Sequence, residues 1–215
     1  MLRPPTLALA TGARYPSLSD ITNRASPFAL HLIERIVRVF SEHRFAPDET
    51  DHVKLYLMRH GPAEDRADSG LDSDRALTLP GRDRVRLVAK ALLDADEGPA
   101  HIVSSPLVRA VQTAEIVAIK TKLGARGGTV EVRRELSPGG EAAQFVRRLP
   151  SEGRKRVLLV GHEPDLSELV LALVGLPERA FDKATVMGLQ LRETGGPALR
   201  FVLDPKTLQF ETFSS

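Results

Sequence analysis

Two arginines and two histidines stand in three short segments whose residue types suit the capture of a phosphoryl group. The first segment is Met58-Arg59-His60-Gly61. Arg59 offers a planar fork of donors that matches phosphate oxygens, and His60, once neutral, can attack phosphorus. Gly61 lets the backbone turn tightly and approach a ligand. The second segment is Ser104-Ser105-Pro106-Leu107-Val108-Arg109-Ala110. A helix starting here would turn its first amide groups and its positive dipole end toward an anion. An arginine in that first turn opposes the dipole, and a bound anion is one reason to place Arg109 there. The third segment is Val160-Gly161-His162-Glu163-Pro164. His162 follows a glycine and precedes a turn, an unusual place for a buried structural histidine. Protonated, it would add charge and a donor to a phosphate pocket. Glu163 would either hold that protonated form or face solvent.

Taken singly, each signal is weak. An Arg-His pair at a strand end is more often a surface pair, and a lone arginine near a helix start is more often solvated. Their joint weight comes from the elements that must position them. Apolar runs predict strands at 53–58, His101–Ser104, 129–132, 156–160, 187–191 and 199–203. Helical periodicity marks 81–94, 106–122 and 141–149, and a further stripe of Leu166, Leu169, Val170 and Leu173. Strands alternating with helices indicate an α/β domain, a three-layer sandwich with a mostly parallel central sheet. Ligands of such sheets sit beyond the carboxyl ends of the strands. All three segments follow predicted strands directly, so one sheet edge is expected to gather Arg59, His60, Arg109 and His162 around a single hollow.

Composition narrows the class. The chain has 215 residues, enough for one α/β domain plus an extension. Hydrophobic residues make up 42%, while aromatics reach only 5% with no tryptophan, so the core is aliphatic and no basic aromatic surface for nucleic acid is expected. The pI of 9.1 reflects arginine-rich basicity on a chain of net charge +2. The absence of cysteine removes thiol catalysis, disulfides and thiolate metal sites, and fits a reducing compartment. No apolar run reaches the roughly 18–20 residues of a membrane span, and Pro4, Pro5 and Gly12 make the N-terminus a poor secretory signal. A cytoplasmic, membrane-free protein is expected. The sequence divides into an extension at 1–52 and a domain at 53–215. Within the extension, Ser26-Pro27 reads as a helix start, and Phe28, Leu32, Ile36 and Val39 form an apolar stripe. The favoured reading is a helix packed on the domain, and the sharper one is self-association through 27–43. A chain beginning at Thr50 that stays soluble and monomeric would count against both.

At this point the residues resemble a family. The order Leu-Tyr-Leu-Met-Arg59-His60-Gly61, Ser105-Pro106-Leu107-x-Arg109-Ala110-x-x-Thr113-Ala114 and Val160-Gly161-His162-Glu163-Pro164 is similar to the histidine phosphatase superfamily. Within it, the short SixA-type phosphohistidine phosphatases match best. Asp72-Ser-Asp-Arg75-Ala-Leu-Thr78-Leu-Pro-Gly81 resembles their Asp-x-x-Arg-Pro-Leu-Thr-x-x-Gly segment, with Ala76 where proline is usual. Leu203-Asp204-Pro205 resembles their C-terminal end. The likeness covers about residues 53–206. It implies a phosphoglycerate-mutase-like fold and a phosphatase with His60 as nucleophile. His162 would be its catalytic partner, and Arg59 and Arg109 would bind the substrate phosphate. No cofactor is implied, and no metal, because the arginines would repel a cation. The substrate would be a phosphorylated protein, foremost one carrying phosphohistidine, or else a small phosphate ester. A non-enzymatic phosphate reader is the rival from another class. The general acid stays open between Glu135, Glu64, Asp65 and none. Glu135 also fits a Glu-Leu-x-Pro segment of SixA-type proteins, which lack an evident acid, so a structural role for it is favoured.

Overall fold

The computed structural model describes residues 52–175, 181–192 and 196–213. The helix and self-association surface expected within 27–43 lie outside the described residues, as does nearly all of the expected extension at 1–52.

Seven strands form one mixed sheet in the order β3-β2-β4-β1-β5-β6-β7. They are β1 (Val53–Arg59), β2 (His101–Ser104), β3 (Val130–Val132), β4 (Arg156–Gly161), β5 (Val186–Leu191), β6 (Ala198–Leu203) and β7 (Phe210–Thr212). The first four run parallel as neighbours, and β5, β6 and β7 add an antiparallel meander on the β1 side. The β7 strand was not expected. It has three residues, too few for an alternation pattern, and exists through its pairing with β6.

Among the described residues four helices cover the two faces: α1 (Leu79–Asp94), α2 (Val108–Lys120), α3 (Ala142–Arg148) and α4 (Asp165–Val174). Strand alternation sorts the core. Tyr56 and Met58 of β1 face the side where Val85, Val88, Ala89 and Leu92 of α1 and Ala110, Ala114 and Val117 of α2 pack. Leu55 and Leu57 face the side where Phe145 and Val146 of α3 and Leu166, Leu169 and Val170 of α4 pack. The result is the expected three layers. The α1 helix begins at a true cap: Thr78 adopts an extended backbone and its side chain accepts the Gly81 amide, with Pro80 in the first turn.

At the edge where β1 begins, a carboxylate is buried. Glu97, within the α1–β2 connection, accepts the Tyr56 hydroxyl at 2.6 Å, both Arg200 guanidinium amines at 2.6 and 3.1 Å, and Lys54 at 3.3 Å. Burial alone would raise its pKa, but the hydrogen bonds from Arg200 and Tyr56 override this and bring it down to about 2. This cluster ties β1, β6 and the α1–β2 connection together at the opposite end of the sheet from the three candidate segments. Removing one partner of such a cluster strands the others. Glu97→Ala should therefore cost about 3–5 kcal/mol of stability, read by urea unfolding, with the activity of the folded fraction unchanged.

Candidate active site

The register of the parallel strands brings the predicted residues together. Arg59 of β1 lies opposite Gly161 of β4, and Ser104 of β2 lies opposite Val160 of β4. His60, Ser105 and His162 therefore each follow the end of one of three adjacent strands. The His60 amide bonds to the Gly161 carbonyl and the Ser105 amide to the Val160 carbonyl, so the pairing continues one residue into each loop. The rings of His60 and His162 pack with centroids 5.1 Å apart, tilted by 51°.

His60 is 6% exposed. Its Nδ1 lies 2.8 Å from the Gly61 carbonyl oxygen. A carbonyl can only accept, so Nδ1 carries the proton and Nε2 holds the lone pair. Arg109, in the first turn of α2, donates from Nε to that Nε2 at 3.3 Å. The remainder of the Arg109 guanidinium is held by Asp72, whose backbone oxygen accepts from Nη1 at 2.7 Å and whose carboxylate accepts from Nη2 at 2.9 Å. Asp72 sits on a single 3-10 turn, Asp72–Asp74, within the loop from β1 to α1. The hydrogen bond from Arg109 keeps its carboxyl below the usual range.

Arg59 differs from expectation in its present partner. Its Nη1 donates to the Phe181 carbonyl at 2.6 Å, while its Nε is buried without a partner. The turn after Phe181 presses against the loop after β1, because the Ala184 amide donates to the carbonyls of Arg59 and His60. Ala184 has φ +73°, a left-handed backbone that is strained for alanine and clusters at functional sites.

Gly61 serves packing instead of a left-handed turn. A Cβ there would stand 2.5 Å from the Val85 side chain, and one on Gly81 would stand 2.0 Å from the Pro62 carbonyl oxygen. The loop after β1 thus lies in direct contact with α1. Thr113 fixes the same loop from α2: its hydroxyl accepts the Gly61 amide at 3.1 Å and donates to the Arg109 carbonyl at 2.7 Å.

Glu163 neither bonds His162 nor stands free in solvent. It accepts the Ser167 hydroxyl at 2.6 Å and the Phe181 amide at 3.3 Å. His162 instead meets the Ser105 hydroxyl through Nε2 at 2.8 Å. Burial first, then the charges of His60, Arg109 and Arg59, lower its pKa to about 3. His162 is therefore held neutral, contrary to the protonated form considered from sequence. His60 is pushed down to about 4, by burial foremost and by the Arg109, Arg59 and Lys183 charges, against the opposing effect of the Gly61 hydrogen bond. Glu135 pairs with Arg148 at 3.2 Å, and hydrogen bonds from its own backbone and from Arg148 keep it ionised. A Glu64 carboxylate oxygen accepts the Ala76 amide at 3.3 Å. Among the described residues, no group of three or more His, Asp or Glu side chains is arranged to hold a metal ion, and no helix is long and apolar enough to cross a membrane.

Residues 55–137 match the model of the histidine phosphatase superfamily, branch 1. Phosphohistidine phosphatase SixA of Escherichia coli is 30% identical over 161 residues, which cover 73% of this chain and 97% of that protein. The chain belongs to the histidine phosphatase superfamily. An uncharacterised protein of a Picosynechococcus species is 40% identical over 124 residues, covering 56% of this chain and 73% of the relative. The solved structure of the protein histidine phosphatase SixA complexed with tungstate superposes with a TM-score of 0.66 at 30% identity, covering 73% of this chain and all of that one.

In this histidine phosphatase the two depressed imidazoles make folding pH-dependent. Above the ordinary value of 6.5 both are neutral, folded or unfolded. Below it the unfolded chain takes up protons that the folded site refuses, so stability falls with pH down to about 3–4. Thermal unfolding should be flat above pH 6.5 and decline below it, and His162→Gln should flatten part of that decline.

Proposed function

We propose that this chain is a metal-independent phosphatase that passes a phosphoryl group through Nε2 of His60, with phosphohistidine in proteins as its foremost substrate. The observation that carries this reading is the state of His60. Its Nδ1 proton is committed to Gly61, its ring is neutral, and its Nε2 lone pair faces a buried arginine. A neutral nucleophile beside fixed cations is what phosphoryl transfer requires, because the chemistry depends on positioning and charge stabilisation.

In the proposed first step the Nε2 lone pair forms a bond to phosphorus as the bond to the leaving group breaks. The leaving group takes that bond's electron pair and a proton from solvent. In the second step water attacks phosphorus, the N–P bond breaks, and its electron pair returns to Nε2 as inorganic phosphate departs. Arg59, Arg109 and His162 hold the non-bridging oxygens through both steps. Arg59 Nε and His162 Nδ1 are buried without partners, and an oxyanion would satisfy both. Tungstate, with which the SixA structure is complexed, is an oxyanion of this kind.

The substrate preference follows from the acids. Glu135 is ion-paired and a Glu64 oxygen is bound to backbone, so neither stands ready to protonate a poor leaving group. A phosphoramidate is labile and asks less of an acid than an alkyl phosphate ester. Phosphohistidine protein and activated aryl phosphates should therefore turn over much faster than alkyl phosphates. Comparable rates on all three would reject the acid-free mechanism. His60→Ala should reduce turnover to background with the fold intact. The kcat/KM profile should reach half its plateau near pH 4, where His60 becomes protonated. An inflection near pH 6.5 would mean that burial leaves this histidine at its ordinary value.

A further inference from the structure

We infer that Ser105 is a positioning residue, which donates its hydroxyl proton to Nε2 of His162 and so keeps the other ring proton on Nδ1 as a donor for the substrate oxyanion. This rests on the phosphatase reading for its purpose, though not for its geometry. Ser105 is fully buried, and its Oγ lies 2.8 Å from Nε2, an ordinary O–H···N distance. Its place is set by the sheet: one residue past β2, beside the strand that ends just before His162.

Two proton arrangements fit that contact, and they leave different groups unmet. The Ser105 oxygen already accepts the Leu107 amide at 3.4 Å. If Nε2 donated to Ser105, the serine proton would have no acceptor among the described residues. Nδ1, buried and without a partner, would then be a bare lone pair, which repels an oxyanion. If Ser105 donates to Nε2, the serine is satisfied and one group alone waits, an Nδ1–H. A phosphoryl oxygen completes that donor. A neutral imidazole can thus bind an anion here without being protonated, in a pocket whose arginines oppose protonation.

Histidine tautomers are read directly by long-range proton–nitrogen NMR of the free protein, with the His162 signals assigned by their loss in His162→Gln. The wild type should show the Nδ1–H form at His162, and inorganic phosphate should shift that Nδ1 resonance. Ser105→Ala should mix the tautomers and lower kcat by about 10–100-fold, the scale of losing a partner that orients a functional histidine. Ser105→Thr, which keeps the hydroxyl, should restore both. An Nε2–H form in the wild type overturns the inference. So does an unchanged tautomer and kcat in folded Ser105→Ala. If Ser105→Ala does not fold, the wild-type spectrum and Ser105→Thr still decide. Failure to release phosphate from any substrate, with the Nδ1–H form present, would reject the phosphatase reading and leave the tautomer assignment standing.

Discussion

Parallel pairing of β1 with β4 and of β4 with β2 is the constraint from which the rest follows. Its register aligns Arg59 with Gly161 and Ser104 with Val160, so three loops distant in sequence leave the sheet side by side. Each loop then contributes its polar residue at the same depth. A slip of one residue would turn Tyr56 and Met58 into the layer now occupied by Leu55 and Leu57, so the hydrophobic sorting of the core holds the alignment of the site.

A second theme is unbalanced charge. Two guanidinium groups approach a pair of imidazoles that burial keeps neutral. Among the described residues one carboxylate, that of Asp72, reaches Arg109, and it does so from the exposed side. The interior of the site is therefore short of negative charge, with donors left open. An anion entering it meets groups already fixed by Gly61, Ser105, Phe181 and Thr113, so little reorganisation accompanies binding.

The sequence carried the architecture further than it carried the contacts. Apolar runs and helical stripes marked six of the strands and the helices, because burial on defined faces imposes those periods. The four chemistry-bearing residues could be placed at one edge because each stood next to a strand end. What lay beyond reach were pairings made by side-chain direction. Asp72 was visible only inside a family segment, and nothing in its spacing from Arg109 says that the two meet. The Ser105–His162 contact needs the order of β2 and β4 in the sheet, which the linear pattern does not give. Gly61 was noticed for a turn, whereas Val85 pressing on it from α1 explains it. Neutral His162 follows from burial and nearby cations, which are properties of the assembled pocket.

The contact of Gly61 with Val85 and of Gly81 with Pro62 leaves no clearance between the loop after β1 and α1. At Gly81 the neighbouring atom is the Pro62 carbonyl oxygen, so that part of the contact is backbone and cannot recede by trimming a side chain, whereas Gly61 is met by the Val85 side chain. Relatives that accept bulkier or smaller substrates would have to vary elsewhere, in the long β1–α1 connection or the turn beside Ala184. Diversification of substrate range on this scaffold is thereby channelled to two flanks of the opening, while the third stays fixed by the absence of room.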